Sequence, residues 1–173
     1  MFQPRFAILV VIILLSALYR IIPHPFNFTP IGAIALFAGA KFWDKHVAVL
    51  VTLLSMLLAD LYLGLYNSII FTYLGLCSMV YIGTVIQKKE SLINIVIAGV
   101  TGSLAFYVIS NFGVWLLSGM YDHTMNGLAE CYLLAIPFLQ NSLNSTLFFS
   151  FLFFSIFYLL EQRYPLLKTG NTI

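Results

Sequence analysis

Apolar runs long enough to cross a bilayer alternate with short polar breaks along the chain, and that alternation predicts a bundle of six membrane helices. A helix needs about 20 apolar residues to cross the hydrocarbon core. By that measure the spans run roughly over 6–22, 29–43, 46–65, 68–87, 92–118 and 140–160. The second is short and rich in small residues (Gly32, Ala33, Ala35, Ala38, Gly39, Ala40), which suits backbone-close packing against neighbours better than contact with lipid. The fifth is long and is expected to tilt or break. Pro137 should separate the last span from residues 127–139, which read as a segment lying along the interface. The first run follows Arg5 and ends in Tyr-Arg-Ile-Ile-Pro without a small-x-small cleavage site, so it reads as a retained helix and not as a signal peptide.

Composition agrees with this pattern. Of 173 residues, 61% are hydrophobic and 8% are charged, against about a quarter charged in soluble domains. The chain cannot cover its own exterior with polar groups, so lipid is its expected solvent. A net charge of +2 without a clustered basic face excludes a nucleic-acid footprint. The fold class expected is therefore all-α, a single polytopic transmembrane domain over 1–173. Its partners would be the lipid bilayer and a small-molecule substrate. Six spans place both termini on one side together with Arg5, Lys41, Lys45, Lys88, Lys89, Arg163 and Lys168, and leave Arg20 alone among basic residues on the other. The positive-inside rule makes the first side cytoplasmic.

This orientation gathers the costly polar groups at the outer ends of the helices. His24, Asn27 and Thr29 belong to the loop HPFNFTP between the first two spans, and Asp60 lies near the outer end of the third. Tyr107, Asn111, Trp115 and Ser118 share one face of the fifth at helical spacing, and Asn141 is near the start of the sixth. An acidic residue at the bilayer centre costs about 2.5–3.5 kcal/mol on insertion scales. An outward cavity holding water removes most of that cost, whereas ordinary interfacial placement accounts for any one residue but less well for the asymmetric set. Thr29 reads as the N-cap and Pro30 as the first turn of the second helix, aiming its free N–H groups at the cavity. On the fourth span Tyr73, Cys77, Tyr81 and Thr84 form one stripe. Cys77 is there either a small buried hydrophobe or a soft ligand to a metal carried by a bound cofactor. Cys77, Cys131, His24 and His123 lack zinc-ligand spacing, and the two cysteines do not make a disulfide framework.

The segments RIIPHPFNFTPIGAIALFAGAKF, LLADLYLG and NFGVWLLSGMYDHTMNGLAECYLLAIPFLQNSL resemble small bacterial membrane proteins related to the substrate-binding (S) components of energy-coupling-factor vitamin transporters. More narrowly, they are similar to solitary S components of the BtuM type, which transport vitamin B12. The resemblance covers Arg20 to Leu143. It implies a multi-pass protein of the bacterial cytoplasmic membrane that takes up a vitamin-like solute, with cobalamin or another corrinoid as transported ligand and no intrinsic cofactor. It further implies Cys77 as the axial ligand to cobalt, with His24 and Asp60 lining the same pocket. The first span, FAILVVIILLSALY, lacks the Ala-x-x-x-Ala motif by which such components dock a coupling module, and the chain has no Walker A sequence. Two other classes remain open at this stage. An assembly subunit would pack through Ala35 and Gly39. An intramembrane enzyme would use His24, Asp60 or His123, although no catalytic signature supports it and the expectation is a non-enzyme.

Overall fold

A computed structural model describes residues 4–167 of the chain; Lys168 lies outside them. The described residues form seven α-helices and no strand. In order these are α1 (Pro4–Ala17), α2 (Ile31–Lys41), α3 (Lys45–Leu63), α4 (Ile69–Ile86), α5 (Leu92–Leu117), α6 (Met125–Leu134) and α7 (Ile136–Arg163), with 3-10 turns at Leu18–Ile21 and Pro165–Leu167. Five stretches are long and apolar enough to cross a membrane: α1 with its 3-10 turn, α3, α4, α5 and α7. The chain is an all-α, multi-pass membrane protein. Its outer surface carries the exposed leucines, isoleucines and phenylalanines that only lipid solvates cheaply.

Helix α2 departs from the expected second span, 29–43. It has 11 residues, about 16 Å at 1.5 Å per residue, roughly half the thickness of the hydrocarbon core. It is the central helix of the bundle, with all but Gly32 of its residues buried. Small side chains make this burial work. A Cβ on Gly39 would overlap the carbonyl oxygen of Val80 on α4, and one on Gly83 would overlap that of Leu36 on α2. Phe37 fills the opposite side, meeting the rings of Phe153, Phe154 and Phe157 on α7 at centroid distances of 5.3–5.9 Å. The small-residue pattern therefore serves contacts within the chain. Ala35 and Gly39, which an assembly subunit was expected to offer a partner, are buried inside the bundle.

The remaining differences are ones of boundary. Helix α7 begins at Ile136, earlier than the expected residue 140, with Pro137 in its first turn where a missing N–H costs nothing. Residue Ala135 separates it from α6, a ten-residue helix capped by the Thr124 hydroxyl, which accepts from the Gly127 N–H at 3.1 Å. Helix α5 is unbroken over 26 residues, about 39 Å, longer than the core and so suited to a tilt.

The two ends of the bundle differ in chemistry. At the end holding the start of α1 and the close of α7, Arg5 donates to Glu161 at 2.7 Å and to the Leu167 carbonyl. Lys41, 6% exposed, donates to Glu90 at 2.6 Å and lies over the rings of Phe154 and Phe157. The network ties α1, α2, α7 and the α4–α5 connection together. The opposite end holds the loops 22–30, 64–68 and 118–124, and the cavity opens there.

Candidate functional site

The loop that precedes α2 builds one wall of this cavity. Residues 22–30 have no regular structure, and Asn27 takes the left-handed conformation at φ 58°, which asparagine tolerates better than most residues. Two side chains of α7 hold the loop by its backbone. Asn141 Nδ2 donates to the Phe26 carbonyl at 2.9 Å, and the one proton of Ser145 Oγ is shared between the Asn27 carbonyl at 3.4 Å and the Ser142 carbonyl of its own helix at 3.0 Å. The ring of His24 stacks on Tyr19 at 5.7 Å and its Nδ1 meets the Pro25 carbonyl at 2.8 Å. The cap of α2 falls one residue later than expected. Pro30 occupies the N-cap position and no side chain caps the helix, so Thr29 leaves the first-turn N–H groups unclaimed.

The cavity beside this loop has a volume of about 590 Å³. One wall comes from the loop and the start of α2, through His24, Asn27, Thr29, Ile31 and Gly32. Thr72, Leu76 and Met79 of α4 form another, and Phe106, Tyr107, Ser110, Asn111 and Val114 of α5 a third. Cys131 of α6 with Leu134, Phe138 and Ser142 closes the remaining side. Phe26, Met120 and Phe138 reach the surface around its mouth. A volume of this size suits a drug-sized solute, and the mixture of apolar walls with a few polar groups is usual for such sites. A shallower depression of about 420 Å³ lies at the other end among residues 42–46, Thr84 and Gln87.

Among the described residues Arg20 is the one charged residue on the wall. Its Nη1 donates to Asp60 Oδ1 at 2.8 Å and meets Met56 Sδ at 2.7 Å. Asp60 is 1% exposed and its second oxygen accepts from the Tyr73 hydroxyl at 3.1 Å. A carboxylate so deeply placed is tolerable because both oxygens are hydrogen-bonded and a guanidinium neutralises it. Just outside the spanning helices, burial pushes the Tyr66 phenol up from its ordinary value, with a Thr72 hydrogen bond acting the other way. Burial likewise pushes the Cys131 thiol up, opposed by a backbone hydrogen bond. Both groups are neutral on the cavity wall at physiological pH.

Of the residues expected from sequence, His24, Asn27, Thr29, Tyr107 and Asn111 line this one cavity. Asp60 and Tyr73 stand behind Arg20 and not on the wall. Trp115 is turned to the 118–124 loop, donating from Nε1 to the Asp122 carbonyl at 2.9 Å, and Asn141 serves the loop backbone. Cys77 and Tyr81 are not among the residues lining the cavity. Thr72, Leu76 and Met79 face the cavity, whereas Tyr73 contacts Asp60 and Tyr81 lies under Lys45, both on α3. The stripe containing Cys77 is thus turned one residue, about 100°, away from the hollow. Among the described residues no group of three His, Cys, Asp or Glu side chains is placed to hold a metal. Sequence reasoning passed over Arg20, Tyr66, Ser110 and Cys131. The signal for Arg20 was present, since an isolated cation and Asp60 were both expected at the same outer depth.

Neither a curated protein nor a solved structure matches the chain. A family does match it over residues 1–167, nearly the full length, and so the chain belongs to DUF6580, a family of unknown function.

Proposed function

We propose that the protein is a binding and uptake protein for a small, vitamin-like amphiphile, which occupies the cavity from the extracytoplasmic side. The observation carrying this reading is the cavity of about 590 Å³, in which six polar residues from the loop and α5 meet apolar side chains of α4 and α5. In the same reading the chain crosses the cytoplasmic membrane of a bacterium six times, the second crossing being completed by the loop 22–30 together with α2. Both termini are cytoplasmic, because Arg5, Lys41, Lys45, Lys88, Lys89 and Arg163 belong to the end opposite the cavity. Non-helical backbone at membrane depth is tolerated where it lines a water-filled hollow, as this loop would.

The solute of this proposal is smaller than a corrinoid. A macrocycle with its nucleotide loop exceeds a drug-sized pocket, and Cys77 offers its sulfur to no part of the cavity wall. The experiment is to purify the protein from cells grown in rich medium containing cobalamin, then identify the bound small molecules by native mass spectrometry and record the visible spectrum. A colourless preparation retaining a solute below about 1,000 Å³ fits the proposal. A corrinoid spectrum altered by Cys77→Ala refutes the size argument, and a preparation that carries and binds no solute refutes uptake.

A further inference from the structure

We infer that the solute carries a single carboxylate and that Arg20 is the residue that binds it, an inference that rests on the binding reading above. Three observations converge. Among the described residues Arg20 is the only charged one on the cavity wall, and its side chain is 16% exposed. Both of its side-chain bonds leave from Nη1, so among the described residues the N–H groups of Nη2 and Nε have no partner and are donors to spare on a wall residue. A guanidinium has five N–H donors in a flat fork, a geometry matched to the two oxygens of a carboxylate.

The second observation is what lies behind Arg20. Asp60 fixes one nitrogen and Tyr73 holds the far oxygen of Asp60, so the guanidinium is oriented before any ligand arrives. Both Asp60 oxygens have partners, which makes Asp60 and Tyr73 positioning residues and leaves Arg20 as the group that touches the solute. The third is α2, whose uncapped N-terminus opens on the same cavity through Thr29, Ile31 and Gly32. A helix that starts partway through the membrane presents the positive end of its dipole there, and such half-helices favour anionic groups.

The number of charges limits the anion. Arg20 is already balanced by Asp60, so what the wall offers an anion is the spare N–H donors of the guanidinium and the start of α2. These suit a monoanion at most, and a phosphate dianion would call for more cations than the wall supplies. The apolar walls formed by Leu76, Met79, Phe106 and Phe138 receive the rest of the molecule. The substrate class is therefore an amphiphilic monocarboxylate of drug-like size.

The test uses the full chain in detergent micelles and compares wild type, Arg20→Lys and the double variant Arg20→Gln with Asp60→Asn. The double variant removes both charges together, so no buried carboxylate is stranded and folding is preserved. Native mass spectrometry identifies the retained solute, and 4-phenylbutyrate and 4-phenylbutyramide serve as matched added probes. The expected result is a carboxylate-bearing solute, tighter binding of the acid than of the amide, and a loss of affinity of about 30-fold or more in both variants, with melting temperatures near wild type. A solute without a carboxylate, a phosphate ester, equal binding of acid and amide, or full retention by the double variant overturns the carboxylate assignment and leaves solute binding intact. A wild type that carries no solute and binds neither probe overturns both.

Discussion

Replacing Gly39 by alanine should destabilise the bundle far more than the same change at Gly99, although both glycines are buried in apolar helices. A Cβ at Gly39 would overlap the Val80 carbonyl oxygen and lie 3.1 Å from the Gly83 Cα, all backbone atoms of α4. Carbon and oxygen in contact settle at about 3.3–3.6 Å, so α2 and α4 must part by well over ~1 Å. A gap of about 0.5–1 Å already forfeits a quarter to a half of the roughly 0.1–0.2 kcal/mol held by each atom pair across the interface, and this one is wider. Over some tens of pairs the loss is about 1–3 kcal/mol, the usual range for overpacking. At Gly99 the obstruction is Leu147 Cδ2 at 2.7 Å, the far end of a side chain that can change rotamer. There the gain in helix propensity, up to about 1 kcal/mol, offsets most of the cost. Thermal unfolding in detergent, followed by tryptophan fluorescence and by loss of the monomer peak on size exclusion, measures both variants. A change of 1 kcal/mol corresponds to about 2–4 °C at this chain length. Gly39→Ala should fall by about 4–10 °C and Gly99→Ala by less than about 3 °C. Equal melting temperatures would refute the backbone contact between α2 and α4.

Two further changes probe the cavity wall. Asn27→Val forces a β-branched residue into a positive φ and should cost about 1–2 kcal/mol, whereas Asn27→Gly should be neutral within a few tenths; limited proteolysis of the loop 22–30 together with melting temperature reads the difference, and equal behaviour of the two variants would sink it. Cys131 lines the cavity with a thiol that burial holds above its ordinary range, so it remains protonated through neutral pH. Its alkylation by a small methanethiosulfonate, in a Cys77→Ser background, should be slow near pH 7 and should still be rising above pH 9. A bound solute should protect Cys131 but leave Cys77, measured in a Cys131→Ser background, unprotected. A rate for Cys131 that is already flat at pH 8, as counted by intact mass, would refute the assignment.

The sequence was most legible where one physical constraint dominated. Lipid solvation shows in long apolar runs, and each of the five long spans appears within a few residues of its expected place. The small residues of α2 likewise announce close backbone packing, and Pro137 marks the junction of α6 and α7. What could not be read was rotational phase and pairing. Helical spacing groups Tyr73, Cys77 and Tyr81 on one face of α4, but nothing in that spacing says whether the face meets α3 or the hollow. Leu76 and Met79 look like ordinary core residues until α4 is seen beside α2 and α5. Arg20 was counted as a charge for orientation, while its contact with Asp60 joins positions 40 residues apart. The length of α2 was also misjudged, because apolar residues that fill the centre of a bundle resemble those that face lipid.

The shortness of α2 is what links the fold to the chemistry. A helix of full length would run from the Lys41 network to the far surface and seal the space between α4, α5 and α7. With only about 16 Å of helix, α2 leaves the other half of its path to an irregular loop whose backbone needs hydrogen-bond partners. Asn141 and Ser145 supply some of these, and water or a solute in the hollow must supply the rest. The unclaimed N–H groups at the start of α2 and the spare donors of Arg20 then belong to the lining of the same hollow, on a wall that carries no acidic side chain among the described residues. Leaving that many donors without acceptors in a low-dielectric interior is costly. The arrangement is economical when an anionic solute provides the acceptors, and that is the physical reason for expecting one there.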